Sequence, residues 1–148
     1  NVEFPNLDEL KEIMDLTLTN NKLELSNVLE GSEILELRNI IKEIKIAEPV
    51  KEYALKLILA THPELEYGAE IAKKYVEAGA GPRAAQGIIA GAKVRAVMEG
   101  RLNVSFEDIK ELAYQVLRHR IILNFDAITE GLNEEDIISK ILEDLKVV

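Results

Sequence analysis

Apolar residues recur at helical spacing along most of this chain, and the interruptions mark where helices start and stop. Asn6, with Glu9 three positions on, caps a first helix whose Leu7, Leu10, Ile13, Met14 and Thr17 share one face. Phe4 and Pro5 form an extended lead-in. Between Asn20 and Gly31 the period breaks, which predicts a loop. A second helix begins near Ser32 and places Ile34, Leu37, Arg38, Ile41 and Ile44 on a stripe. From Ile44 to Glu48 apolar and charged residues alternate, enough for a short strand or extended connector. Pro49 suits the first position of a third helix, where Val50, Tyr53, Ala54, Leu57 and Ile58 supply the buried face. His62-Pro63 ends it, because the residue before a proline is pushed out of the helical region. A shorter helix is predicted from Glu70 to Glu77, stopping before Gly79. The next opens at Pro82 and runs to Met98 or Glu99, where Gly100 closes it.

The last two helices carry the clearest signatures. Ser105 and Asp108 form a capping box ahead of Ile109, Leu112, Ala113, Val116 and Leu117, and Asn133 with Asp136 repeats the device before Ile137, Ile138, Ile141, Leu142 and Leu145. Four tyrosines and three phenylalanines are the only aromatics, so the core must be aliphatic. The pattern predicts an all-α fold: one compact domain over residues 1–148, a bundle of six or seven helices with at most a short extended segment near 44–48.

Composition narrows the function. The 148 residues hold 27 acidic and 18 basic side chains, a formal charge of -9, which argues against nucleic acid as a partner. No apolar run approaches the ~20 residues of a membrane span, so a cytoplasmic location is expected. The chain opens on Asn1 rather than a methionine, as a piece cut from a longer protein would. Cysteine is absent and His62 and His119 stand far apart, so no metal site is expected. Catalytic machinery is thin. There is no GxxxxGK[ST] loop, and the glycines at 79, 81, 87 and 91 follow a helix rather than a strand, which a dinucleotide fingerprint would require. Acidic pairs such as Glu134 and Glu135 sit at a helix start, where the macrodipole favours them.

Gly79-Ala80-Gly81-Pro82-Arg83-Ala84 is harder to explain. Pro82 fixes φ for the first helical turn and Gly81 serves as cap, so Arg83 falls beside free N–H groups at the positive end of the dipole. A cation there is unfavourable unless compensated. A bound anion would compensate it, since guanidinium and helix N-terminus then serve one charge; a neighbouring carboxylate would do so equally well. The small residues Gly87, Ala90 and Gly91 fit either close helix packing or a nearby ligand. Arg118-His119-Arg120 ends the Ser105 helix, where cations are favoured.

The run GAGPRAAQGIIAGAKVRAVMEGRLNVSFEDIKELAYQVLRHRIILNF, residues 79–125, closely resembles the C-terminal lid of MoxR-type AAA+ ATPases. The family pattern has GASPRA, a helix ending in Gly-Arg, a V-[ST]-x-x-D-[IV] helix start, then VLRHR and N-[FY]. Glu130-Gly131-Leu132 resembles the family's tail, Val2 to Pro5 its hinge from the ATPase core, and Lys45 to Ala47 with the Tyr53 helix its middle portion. The resemblance implies that Arg83 is the sensor-2 arginine, reaching the γ-phosphate of ATP bound with Mg2+ in a preceding core. It places Gly81 and Pro82 beside that phosphate, and Phe4 and Pro5 near the adenine. Gly81 stands where the family usually has Ser, and residues 62–78 are longer than the usual connection. The phosphate-binding loop, Walker-B acids, sensor 1 and arginine finger are not in this sequence, so the chain alone should hydrolyse nothing and hold no cofactor. The partners implied are the N-terminal AAA+ core, neighbouring subunits of a hexameric ring and a von Willebrand A-type protein, in a chaperone-like assembly or metal-insertion role. The competing reading is a freestanding helical adaptor without a nucleotide role.

Overall fold

A computed structural model of the chain describes residues 4–18 and 26–146. Its Cα packing divides the chain into a first unit, residues 1–34, and a second, residues 35–148. In the first unit α1 (Leu7–Leu18) opens on Asn6, whose side-chain oxygen accepts the N–H groups of Asp8 and Glu9 at 3.0 and 3.1 Å while Glu9 reaches back to the Asn6 N–H at 2.8 Å. This is the capping box the sequence predicted. The predicted apolar face is present but none of its residues is buried. Val2 and Glu3 of the expected hinge, and the 20–31 loop as far as residue 25, lie outside the described residues.

α2 (Gly31–Glu43) crosses the boundary between the units and also contains no buried residue. The second unit then runs α3 (Glu48–Ala60), α4 (Glu70–Tyr75), β1 (Val76–Ala78), α5 (Pro82–Met98), α6 (Phe106–Leu117), β2 (Ile122–Leu123), α7 (Phe125–Thr129) and α8 (Glu134–Asp144). Its core is aliphatic, as expected. Leu57, Ile88, Ile109, Leu117, Ile137, Ile138 and Ile141 are fully buried, and Tyr53 meets Phe106 edge-on at 5.4 Å between ring centroids. Gly87 and Gly91 serve close packing of α5 on α6. A Cβ at Gly91 would come within 2.8 Å of a Leu112 methyl, and one at Gly87 would touch Val116 at 3.4 Å.

Three details go beyond the predicted pattern. The 44–48 connector forms a single parallel bridge, Lys45 to Asn103, rather than a strand. The helix expected over 70–77 stops at Tyr75 and continues as β1, which pairs antiparallel with β2, Val76 opposite Leu123 and Ala78 opposite Ile122. The third is α7, an eighth helix among the described residues. One residue, Asn124, accounts for both of the latter. The Asn124 amide donates to the Lys74 carbonyl at 2.8 Å and its backbone N–H to the Tyr75 carbonyl at 2.9 Å, satisfying carbonyls at the end of α4. Its side-chain oxygen accepts from the Ala127 N–H at 3.1 Å and so starts α7.

Candidate functional site: the first turn of α5

Gly81 caps α5 in extended geometry (φ -74°, ψ 179°) with no side-chain capping bond, and Pro82 occupies the first turn. Space around Gly81 is open: a Cβ there would meet nothing within 4 Å. Arg83 is exposed and makes no hydrogen bond or ion pair among the described residues. Of the two ways to compensate a cation at this position, the carboxylate partner is therefore absent among those residues. Gly81, Pro82 and Arg83 stand together as one turn, whereas Phe4, 87% exposed, and Pro5 belong to the first unit.

The turn is anchored from behind by residues the sequence did not mark as functional. The Thr61 hydroxyl, fully buried at the C-terminus of α3, donates to the Ile58 carbonyl at 2.7 Å and accepts the Ala80 N–H at 2.9 Å. His62 Nε2 lies 3.1 Å from the Ala80 carbonyl and its Nδ1 2.8 Å from a Glu64 carboxylate oxygen. A bond to its own backbone N–H, and then the one to His62, hold the Glu64 carboxyl below the usual carboxylate range. In the sequence His62-Pro63 read only as a helix terminator. The signal that could have found the anchor was Gly79, which must pack tightly because a Cβ there would lie 2.7 Å from the Thr61 carbonyl.

The remaining motif residues explain themselves structurally. Arg101 grips Asp108 through both nitrogens at 2.8 and 2.6 Å, and Asp108, 1% exposed, closes the Ser105 capping box. Arg95 approaches the same carboxylate at 3.3 Å. The Arg101 guanidinium and the Ser105 donors push the Asp108 carboxyl far below its ordinary range despite burial. The Gly-Arg dipeptide and the aspartate of the next helix thus form one ionic knot around a buried carboxylate between α5 and α6. Arg118 donates to the Tyr114 carbonyl at 3.1 Å and pairs with Glu135 at 3.0 Å, while Arg120 reaches the Val116 carbonyl at 2.5 Å. These cations cap carbonyls at the end of α6, as the dipole favours.

Beside the Arg83 turn runs an open apolar groove of about 580 Å³, with Pro82, Ala85 and Ile89 of α5 and Leu55 of α3 in its wall and Lys42 and Lys93 among its lining. Among the described residues no helix is long and apolar enough to cross a membrane, and no group of three or more acidic or histidine side chains is placed to hold a metal ion.

A sequence model of the family described as "AAA lid domain" matches residues 68–141, which contain α4 through most of α8 and the Arg83 turn. The chain belongs to the AAA lid domain family. It is 30% identical over 143 residues to a protein of Mycobacterium tuberculosis described as Chaperone MoxR1, covering 97% of this chain and 38% of that one. It is 25% identical over 147 residues to the uncharacterized protein YeaC of Bacillus subtilis, covering 97% of this chain and 42% of that one. A crystal structure of a "putative ATPase" from Cytophaga hutchinsonii superposes with a TM-score of 0.81 at 34% identity, over 99% of this chain and 45% of that one. This AAA lid domain thus spans about two-fifths of the length of the curated relatives it matches.

Proposed function

We propose that this chain is the lid of a MoxR-type AAA+ ATPase and that Arg83 is its contribution to the nucleotide site. The observation that carries the reading is a guanidinium with no partner among the described residues, on the first turn of a helix whose cap is glycine. Such a turn suits an anion: the Arg83 donors and the exposed end of the helix dipole serve the same charge, and Gly81 leaves room for it to approach. ATP with Mg2+ supplies the triphosphate, gripped by a core that lies outside this sequence. Arg83 holds the terminal phosphate against that core, and its release after hydrolysis lets the lid move. The relatives' names support a chaperone-like ATPase as the wider context. From the family resemblance we infer in addition an assembly or metal-insertion factor of the cytoplasm, built as a hexameric ring in which the lid meets its own core and a neighbouring subunit, with a von Willebrand A-type protein as partner. Gly81 and Pro82 shape the phosphate-side turn.

The test is Arg83→Ala in the ATPase that carries this lid. Hydrolysis should fall about a hundredfold in kcat, the scale on which one charge-stabilising group acts, while the circular dichroism of the lid is unchanged. Unaltered turnover would remove Arg83 from the site. The chain by itself should show no ATP hydrolysis above background. The groove beside Arg83 favours a second reading, an adaptor that binds a protein through α5. In that case Ile89→Asp would abolish partner binding and Arg83→Ala would change nothing.

A further inference from the structure

The groove beside the Arg83 turn is built from three helices, and α5 gives it an unbroken stripe. Pro82, Ala85, Gln86, Ile89, Ala90 and Lys93 recur at i, i+3, i+4, i+7, i+8 and i+11, one helix face over three turns or roughly 16 Å. Gly87 and Gly91 turn the other way, toward Val116 and Leu112 of α6. Leu55 of α3 and Ile41 at the end of α2 complete the apolar lining, and Leu59, one turn beyond Leu55, is exposed as well. Helices alone supply the lining, with no strand edge to pair. An occupant must therefore be held by side chains, which fits an amphipathic helix rather than an extended peptide.

The charge of the lining selects the sign of that helix. Although the chain carries 27 acidic and 18 basic residues, the charged side chains lining the groove among the described residues are Lys42 and Lys93. Neither meets a carboxylate there: Lys93 Nζ donates to the Lys42 carbonyl at 2.8 Å, and Lys42 Nζ to the Asn39 side-chain oxygen at 3.4 Å. By contrast Lys51, Lys56, Lys73, Lys74, Lys110 and Lys140 all pair with carboxylates within 3.4 Å. The Lys93 bond ties α5 to the last turn of α2, so both cations stand where these helices meet. We propose that the groove docks an amphipathic helix of a partner protein, apolar on the side facing α5 and acidic on the flank facing Lys42 and Lys93. Exposed ion pairs are individually weak, so the apolar stripe supplies the hold and the lysines discriminate against a basic helix. This deepens the reading of the groove as a protein-binding face and does not depend on the nucleotide role of Arg83.

The test uses a synthetic helix of about 15 residues with leucines at i, i+3, i+7 and i+10 and glutamates on both flanks. Its twin carries lysine for every glutamate. By fluorescence anisotropy the 148-residue chain should bind the acidic helix one-to-one and the basic twin at least about tenfold more weakly. The difference should shrink as salt is raised toward about 1 M. Lys42→Glu combined with Lys93→Glu should weaken the acidic helix about tenfold and strengthen the basic twin, a reversal that unfolding cannot produce. Ala90→Trp, at an exposed position, fills the groove without changing its charge and should remove both. No binding up to about 1 mM, equal binding of the twins, or an unreversed preference in the double variant overturns the proposal. So does self-association of the chain that Ala90→Trp abolishes, which would make the occupant a second copy. The ATPase that carries the lid should bind the acidic helix within about threefold of the chain alone; loss of binding there would mean that the core covers the groove, and the proposal falls. Arg83→Ala separates the two readings. Intact hydrolysis with helix binding kept removes the nucleotide reading and leaves the docking. Lost hydrolysis with no helix binding in the unaltered protein does the reverse. An affinity loss in Arg83→Ala as large as in the lysine variant would seat the acid on the Arg83 turn and overturn the assignment to Lys42 and Lys93.

Discussion

α1 and α6 are both twelve-residue amphipathic helices opened by a capping box, yet α6 buries Asp108, Ile109, Ala113 and Leu117 while α1 buries nothing. Leu7, Ile13, Met14, Leu16 and Leu18 of α1 are all exposed, and α2 repeats the condition with Ile34, Leu35, Leu37 and Ile40. Caps and periodicity act within a few residues and decide that a helix forms; what covers its apolar face is decided by contacts distant in sequence. From α3 to α8 those contacts are made within the chain. In α1 and α2 a row of large apolar side chains faces outward, the condition in which an interaction surface is expected.

The comparison is sharpest under truncation. Leu57 is fully buried, so Leu57→Ala should cost about 4 kcal/mol through lost burial and the cavity left behind, read by urea unfolding. Leu16→Ala in α1 should change the same midpoint by under about 0.5 kcal/mol. A comparable loss at Leu16 would mean that α1 has a packing partner in this chain. Asp108→Ala should cost about 3 kcal/mol, because it removes a cap and leaves the Arg101 guanidinium without the carboxylate that it grips with two nitrogens.

Acid provides a graded version of that variant. The Asp108 carboxyl is held far below its ordinary value in the folded chain, so its contribution is fully present above about pH 4, the unfolded-state range, and is lost as pH falls through the folded value. Melting temperatures of the native chain should therefore drop more steeply below about pH 4 than those of Asp108→Asn. Parallel curves would show that the knot contributes little. The smallest effect is expected at Gly81→Ser. The site has extended geometry and open space, so a serine hydroxyl can cap α5 and should add a few tenths of a kcal/mol.

Much of the helical body was legible because its signals are local. Ser105 with Asp108 and Asn133 with Asp136 are capping boxes in the sequence and in the structure. Pro49 and Pro82 both fall in the first turns of their helices. β1 and β2 were not legible, since strands of three and two residues are too short to show alternation. Val76 and Glu77 continued the helical pattern until Asn124, about fifty positions away, satisfied the carbonyls that end α4. The Arg83 turn was readable from Gly-Pro-Arg alone. Its support was not, because Thr61 and His62 reach Ala80 from 19 and 18 positions away.

The short β1–β2 ribbon gives the second unit a wiring that its helices do not. Tyr75 donates to Glu130 at 2.6 Å across the same junction, so the end of α4, the ribbon and the end of α7 are stitched at three places. β1 runs without a break into Gly79. The ribbon therefore joins the segment that leads into α7, with its exposed Phe125 and Ile128, by backbone pairing to the strand that runs into the Arg83 turn.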